Sequence, residues 1–281
     1  MNYIDINCDM GEGFGAYSFG NDGELLPYVS SVNIACGFHA SDPVIMGRAV
    51  AAAKAAGAGI GAHPGLPDLQ GFGRRAMAIS PAEARAFTLY QLGALDAFCR
   101  SGGAAPGAFC RASGAAPGAH CRKESALRHV KPHGALYNMA AADKTLAEAI
   151  CDAIASFDET LILLGLAGSE LLAAAAKKGL RAASEVFADR AYEEDGSLRA
   201  RGLPGAMIED AGEAAARALR MASEGLVRAA SGKDIAVRAD SICVHGDGPR
   251  APEFARAIRA ALQAAGIQVI PLADTINYRA G

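Results

Sequence analysis

Short apolar runs alternate with longer alanine-rich stretches from one end of the chain to the other. The runs at 3–9, 32–37, 57–63, 127–133, 161–165, 180–187 and 241–245 read as strands, and 268–272 reads as an eighth. Helical periodicity falls between them, at 43–56, 81–99, 144–156, 169–178, 209–230 and 252–265. Several boundaries carry end signals. Ser80-Pro81-Ala82-Glu83 has the form of a capping box, with Ser80 as N-cap and Pro81 in the first helical position. Gly57, Gly179 and Gly266 each stop an alanine-rich helix and open the next strand, as suits a residue that tolerates positive φ.

Repeated strand–helix alternation implies parallel strands joined by right-handed crossovers, with both faces of the sheet covered. Seven or eight such units favour a closed barrel over an open sheet. No Pro/Gly/Ser-rich linker splits the pattern, so residues 1–281 read as a single α/β barrel domain. One segment departs from the rhythm. Phe98–Ala108 is followed by a second copy, Phe109–Ala119, with nine of eleven positions identical. Two short copies make no solenoid, and their Gly, Ala and Pro offer little apolar surface to offset ordering. The segment 99–124 is therefore expected to be a low-complexity insert forming a mobile loop. Cys99, Cys110, His120 and Cys121 match no tetrahedral zinc spacing.

Composition narrows the function. Half of the residues are hydrophobic, and the net charge of −3 supplies no basic field for a nucleic-acid backbone. No apolar stretch approaches the ~20 residues of a membrane span, and Met1-Asn2-Tyr3-Ile4-Asp5 lacks the basic start of a signal peptide. A cytoplasmic protein is expected. The seven cysteines are odd in number and widely spread; Cys8, Cys36 and Cys243 lie in apolar runs and read as small hydrophobes rather than disulfide partners.

In parallel α/β folds ligands bind beyond the carboxyl ends of the strands, so the residues that follow each strand are the informative ones. Asp9 and Glu12 follow the first, in a loop with Gly11, Gly13 and Gly15 that looks suited to close backbone approach to a ligand. His39 follows the second; His63, with Arg74 and Arg75 behind it, the third; Lys131 and His133, with Tyr137 and Asn138 a turn later, the fourth. Glu185, Asp189 and Arg190 come with the sixth, His245 and Asp247 with the seventh. Four of the six histidines thus fall on one rim, where imidazole suits both metal binding and proton transfer. Each residue also has a plainer explanation. Asp9 and Asp247 suit turns or N-caps, the histidines suit structural roles, Lys131 suits a solvated strand end and Arg74–Arg75 a surface pair. In a partly dry site, however, Lys131 would polarise a carbonyl or neutralise a carboxylate, and an arginine would clamp a carboxylate or phosphate. The chain has no Walker loop, G-x-S-x-G elbow or H-E-x-x-H helix. Acid/base or metal-assisted hydrolysis by Asp, Glu, His and Lys is the chemistry left.

Six blocks carry a family resemblance. They are Asn7-Cys8-Asp9-Met10-Gly11-Glu12-Gly13-Phe14-Gly15; Asn33-Ile34-Ala35-Cys36-Gly37-Phe38-His39-Ala40; Gly61-Ala62-His63-Pro64-Gly65 with Asp68 to Arg75; Val130-Lys131-Pro132-His133-Gly134 through Asn138; Glu185 to Arg190; and Cys243-Val244-His245-Gly246-Asp247. In this order they resemble the signature blocks of the LamB/YcsF family, which supplies the A subunit of the bacterial ATP-dependent 5-oxoprolinase. The resemblance implies a seven-stranded β/α barrel similar to the glycoside hydrolase/deacetylase fold. It implies opening of the 5-oxo-L-proline lactam to L-glutamate with hydrolysis of Mg2+-bound ATP, in a complex with subunits B and C. Metal-dependent relatives place Asp and His ligands at strand ends, and Asp9, His63 and His133 correspond, so a divalent metal at the barrel mouth is also implied.

On that basis Asp9, Glu12, Lys131, His133, Glu185, Asp189, Arg190 and His245 are the expected catalytic residues. His39, Arg74, Arg75, Tyr137, Asn138 and Asp247 are expected around the substrate. The insert departs from the family pattern and bears on any partner interface on its side. Two other readings stay open: a stand-alone metal-dependent deacetylase or amidohydrolase, and a substrate-binding component with no chemistry of its own.

Overall fold

The computed structural model describes residues 3–101, 125–245, 248 and 250–280. The expected mobile loop at 99–124 lies, beyond Ser101, outside the described residues, and so does Asp247. The elements run β1 (Tyr3–Met10), α1 (Asp22–Leu25), β2 (Ser31–Ala35), α2 (Pro43–Ala56), β3 (Gly59–His63), α3 (Pro81–Ser101), β4 (Leu127–Val130), α4 (Gly134–Ala142), α5 (Lys144–Phe157) and β5 (Ile162–Leu166). They continue with α6 (Glu170–Lys178), β6 (Ala182–Phe187), α7 (Ala211–Glu224), β7 (Leu226–Arg228), β8 (Asp234–Ala236), β9 (Ser241–Cys243), α8 (Ala251–Ala264), β10 (Gln268–Val269) and α9 (Leu272–Ala280).

Seven parallel strands close on themselves in the order β1-β2-β3-β4-β5-β6-β9, with β9 bonded to both β6 and β1. The eighth run is not a barrel strand. Its two residues in β10 pair only with Tyr3 and Ile4 at the start of β1, and α9 begins directly after Pro271. The helix expected at 209–230 stops at Glu224, where Gly225 turns left-handed at φ 66°. The antiparallel β7–β8 hairpin takes over from there. The expected capping box is present: Ser80 N donates to Glu83 Oε2 at 2.7 Å, and Glu83 N donates to Ser80 Oγ at 3.2 Å. Regular β4 ends at Val130 rather than His133 because Pro132 has no N–H. The chain nevertheless stays extended beside β3, since Lys131 N bonds to Ala62 O at 2.9 Å and His133 N to Pro64 O at 2.8 Å.

The interior of the barrel is polar along β1, and strand alternation explains why. Along β1, Ile4, Ile6, Cys8 and Met10 belong to the apolar layer under the helices. Asp5, Asn7 and Asp9 occupy the alternate face and meet residues of other strands inside the barrel. Asn7 Nδ2 donates to Glu185 Oε1 on β6 at 3.0 Å and to Ser241 Oγ on β9 at 2.7 Å. His129 fills space that Gly61 leaves open on β3, where any Cβ would collide with its ring. Among the described residues, no helix is long and apolar enough to cross a membrane.

Candidate active site

Lys131 stands at the centre of the barrel mouth. Its Nζ lies 3.0 Å from Asp9 Oδ1, 2.9 Å from Glu185 Oε1, 3.3 Å from Asn7 Oδ1 and 3.2 Å from Cys243 Sγ. Burial opposes the ammonium charge, but Asp9, Cys243 and Glu185 outweigh it and hold Lys131 well above its ordinary pKa. Burial likewise opposes the Asp9 charge; His63 and Lys131 overcome it and keep the carboxyl well below the usual range. Lys131 and Asp9 are therefore an ion pair across the neutral range. Tyr137 OH donates to Glu185 Oε2 at 2.8 Å, and burial raises its pKa far enough to keep it a donor. Cys243 is buried as expected of a small hydrophobe, yet it faces an ammonium group.

A second group sits beside this pair. Glu12, His39, His63 and His133 each turn one ligand atom to a common point, all within 4.8 Å of one another. His63 Nδ1 is 2.7 Å from the Lys131 carbonyl and His133 Nε2 is 2.8 Å from the Phe72 carbonyl. A carbonyl only accepts, so those nitrogens carry the protons. The remaining nitrogens, His63 Nε2 and His133 Nδ1, face each other 2.9 Å apart. Asp9 Oδ2 lies 3.3 Å from the first and Glu12 Oε1 3.5 Å from the second. His39 stacks on His133 with centroids 3.7 Å apart, and its Nε2 is 3.2 Å from Glu12 Oε1. Burial lowers the pKa of both His39 and His133, favouring neutral rings. Three imidazoles and a carboxylate gathered in this way suit a divalent cation. This cluster shares His63 and His133 with the expected Asp9, His63 and His133. Glu12 and His39 join it, while Asp9 Oδ1 is held by Lys131 and Asn33.

A third pair lies across the mouth, where His245 Nδ1 and Asp189 Oδ2 are 2.6 Å apart and the imidazole stacks against Phe187. A cavity of about 610 Å³ connects the three groups. Asp9, Glu12, His63, Lys131, His133 and His245 face it, and so do Arg74, Tyr137, Asn138 and Arg190. Other expected residues stand behind its wall: Glu185 and Asp189 reach it through Lys131 and His245, and His39 through Glu12. Arg75 lies off the cavity, its exposed guanidinium paired with Asp68, which lowers that carboxyl to about 2. Two glycines of the loop after β1 are set by packing. At φ 71° Gly11 abuts Ala49 of α2, and a Cβ on Gly13 would strike the Tyr17 carbonyl, so both are small for packing.

Asn7, Asn33 and His129 were not expected in the site. Asn33 Nδ2 donates to Asp9 Oδ1 at 2.9 Å and to Asn7 Oδ1 at 2.8 Å, and its own Oδ1 is 2.9 Å from His129 Nε2. The polar alternation Asp5, Asn7, Asp9 within β1 was the signal that could have revealed this network.

A family model described as the LamB/YcsF family matches residues 4–106 and 110–277. The chain belongs to the LamB/YcsF family. A protein of Clostridium beijerinckii named as the A subunit of 5-oxoprolinase is 52% identical over 272 residues, covering 97% of this chain and 98% of its own. One of the same name from Bacillus subtilis strain 168 is 49% identical over 274 residues, covering 98% of each. Among solved structures, the lactam utilization protein of Thermus thermophilus superposes with a TM-score of 0.84 at 47% identity, over 95% of this chain and 99% of its own. Family membership and the closed seven-stranded barrel thus agree with the resemblance in the six sequence blocks.

Proposed function

We propose that this chain is the A subunit of an ATP-dependent 5-oxoprolinase, which opens the lactam of 5-oxo-L-proline to L-glutamate in a complex with subunits B and C. The observation that carries this reading is the cavity itself. Its wall sets an ionised Asp9–Lys131 pair beside Glu12, His63 and His133 in a chain about half identical to proteins named for that activity.

Amide resonance makes a lactam a poor electrophile, and a five-membered ring holds little strain to help. Coupling to ATP solves this chemically. The lactam oxygen takes the γ-phosphoryl group and ADP leaves. Water adds to the activated carbon, and the C–N bond breaks with its electron pair going to nitrogen, leaving γ-glutamyl phosphate. A second water releases phosphate and gives L-glutamate. In this scheme Asp9 takes a proton from water and His245, paired with Asp189, carries protons towards the ring nitrogen, while Glu12 and His133 belong to the cation cluster. Arg190 faces developing negative charge and Arg74 takes the substrate carboxylate. Lys131, directed at Asp9 and Glu185, keeps Asp9 ionised. Tyr137 and Asn138 shape the wall where the substrate lies.

The donor set of Glu12, His39, His63 and His133 fits a divalent cation, which would act as a Lewis acid at the barrel mouth. That same cluster favours a second reading, a metal-dependent amidohydrolase that works alone without nucleotide. One experiment separates the two. The chain is co-expressed with subunits B and C, and ADP release is followed with and without 5-oxo-L-proline. Lactam-stimulated ADP release only from the complex supports the main reading. Nucleotide-free hydrolysis of an N-acyl substrate by the chain alone replaces it with the second.

A further inference from the structure

One part of the cavity wall is unused by the scheme above except for Arg190. It is built from the β5–α6 turn and the loop after β6. Ser169 is the N-cap residue of the nine-residue helix α6, with extended backbone at φ −82° and ψ 164°. A serine there normally accepts from its own helix. This one makes no cap bond, and its Oγ is buried without a hydrogen-bond partner although the residue is only 8% exposed. Arg190 is 6% exposed, and its Nε is also buried and unpartnered; one amino group donates to the Arg199 carbonyl at 2.6 Å. Both residues line the cavity, and Gly168 between β5 and Ser169 leaves open space where a side chain would stand.

The unpaired hydroxyl, the desolvated guanidinium and the free N–H groups of the first helical turn share one deficit, an acceptor with several oxygens. Arg201 adds positive charge at the exposed rim. Negative charge nearby comes from Asp189, which faces His245, from Asp195, which accepts from the Ser197 N–H of its own loop at 2.9 Å, and from Glu170 in the first turn of α6, which does not line the cavity. A cavity of about 610 Å³ also has room for a ligand the size of a drug or nucleotide.

We infer that Ser169, Arg190 and the N-terminus of α6 form a phosphate-binding subsite in the same cavity as the Asp9–Lys131 pair. Two carriers share that chemistry, a nucleotide and a phosphorylated lactam or its released phosphate. The inference rests on the proposed ATP-dependent reaction only for the identity of the carrier.

The test titrates inorganic phosphate, Mg2+–ADP and 5-oxo-L-proline separately into the full chain, by calorimetry, for wild type and Ser169→Asp. Aspartate is a good N-cap, so this variant keeps or improves thermal stability while placing a negative charge in the subsite. Phosphate binding should weaken by about tenfold or more, the scale of a lost charge-assisted hydrogen bond. Binding of 5-oxo-L-proline should not change. Arg190→Gln should reproduce the loss independently. Parallel loss of ADP binding identifies a nucleotide subsite; phosphate binding without ADP binding identifies the phosphorylated lactam or free phosphate. No phosphate binding to wild type, equal binding to Ser169→Asp, or a loss confined to 5-oxo-L-proline would overturn the inference. A chain that binds phosphate in a complex without lactam-stimulated ADP release would sink the 5-oxoprolinase reading and leave the subsite standing.

Discussion

His133 Nδ1 lies 2.9 Å from His63 Nε2, and each ring has committed its other nitrogen to a backbone carbonyl. The two remaining ring nitrogens face each other, with Glu12 and Asp9 oxygens close by. A cation held among these nitrogens and the Glu12 oxygen would satisfy them together. The purified chain should therefore take up one divalent ion after exposure to zinc or manganese, measured by elemental analysis following dialysis. His63→Ala and His133→Ala should each reduce affinity by about tenfold to a hundredfold or more, judged by what loss of even outer-shell partners costs. Stoichiometric uptake by both variants would place the ion elsewhere.

Lys131 is the counter-charge for two buried carboxylates, Asp9 and Glu185. Lys131→Met keeps much of the volume and removes the charge, leaving Asp9 with His63 and Asn33, and Glu185 with Tyr137 and Asn7, but neither with the ammonium. Breaking a buried pair in this way costs about 3–5 kcal/mol. Chemical denaturation should show that loss along with near-complete loss of activity. A stability change under about 1 kcal/mol, the scale of a surface substitution, would mean that the network reorganises without the ammonium.

The legible and illegible parts of this molecule divide along physical lines. Helix ends marked by Ser80 and Gly57 were readable because capping and positive φ are local properties. Rim residues such as His63, His133 and His245 were readable because each follows an apolar strand directly. Asn7, Asn33 and His129 were missed because they act across the barrel, and each lies far in sequence from the residues it touches. The helix α4 was hidden by Gly134 at its start, a residue poor at forming helices. Separating Arg74 from Arg75 required the fold, since only the structure shows that Asp68 takes the second.

Asp5 makes stability depend on pH in the direction opposite to most carboxylates. Burial raises its pKa from 3.8 to about 6, despite hydroxyl donors from Ser241 and Ser30. As pH rises, the unfolded chain ionises first while the folded chain resists. The contribution is thus complete below about 3.8 and is lost by about pH 6, to a total of about 3 kcal/mol. Asp5→Asn should abolish that part of the decline, so the gap between variant and wild type in urea midpoint should widen from pH 4 to pH 6.5. A gap that stays constant over this range would show that Asp5 titrates normally.

Gly61 and His129 are complementary in shape, since the imidazole occupies the volume next to Gly61 where a side chain would begin. His129 is neutral there, with burial pulling its pKa down to about 3, and its Nε2 holds Asn33, which in turn holds Asp9. Gly61→Ala should therefore cost about 1–3 kcal/mol through overpacking, and it should lower kcat by disturbing Asp9 through Asn33. Removing the ring removes the collision, so His129→Ala should make the alanine at position 61 nearly neutral. A double-mutant cycle on denaturation midpoints would then give a coupling of about 1–3 kcal/mol. The kinetic half of the cycle distinguishes packing from positioning. In the double variant stability is partly restored, but Asn33 still lacks its partner, so kcat should stay low. Full recovery of kcat together with stability would reduce His129 to a space-filling role.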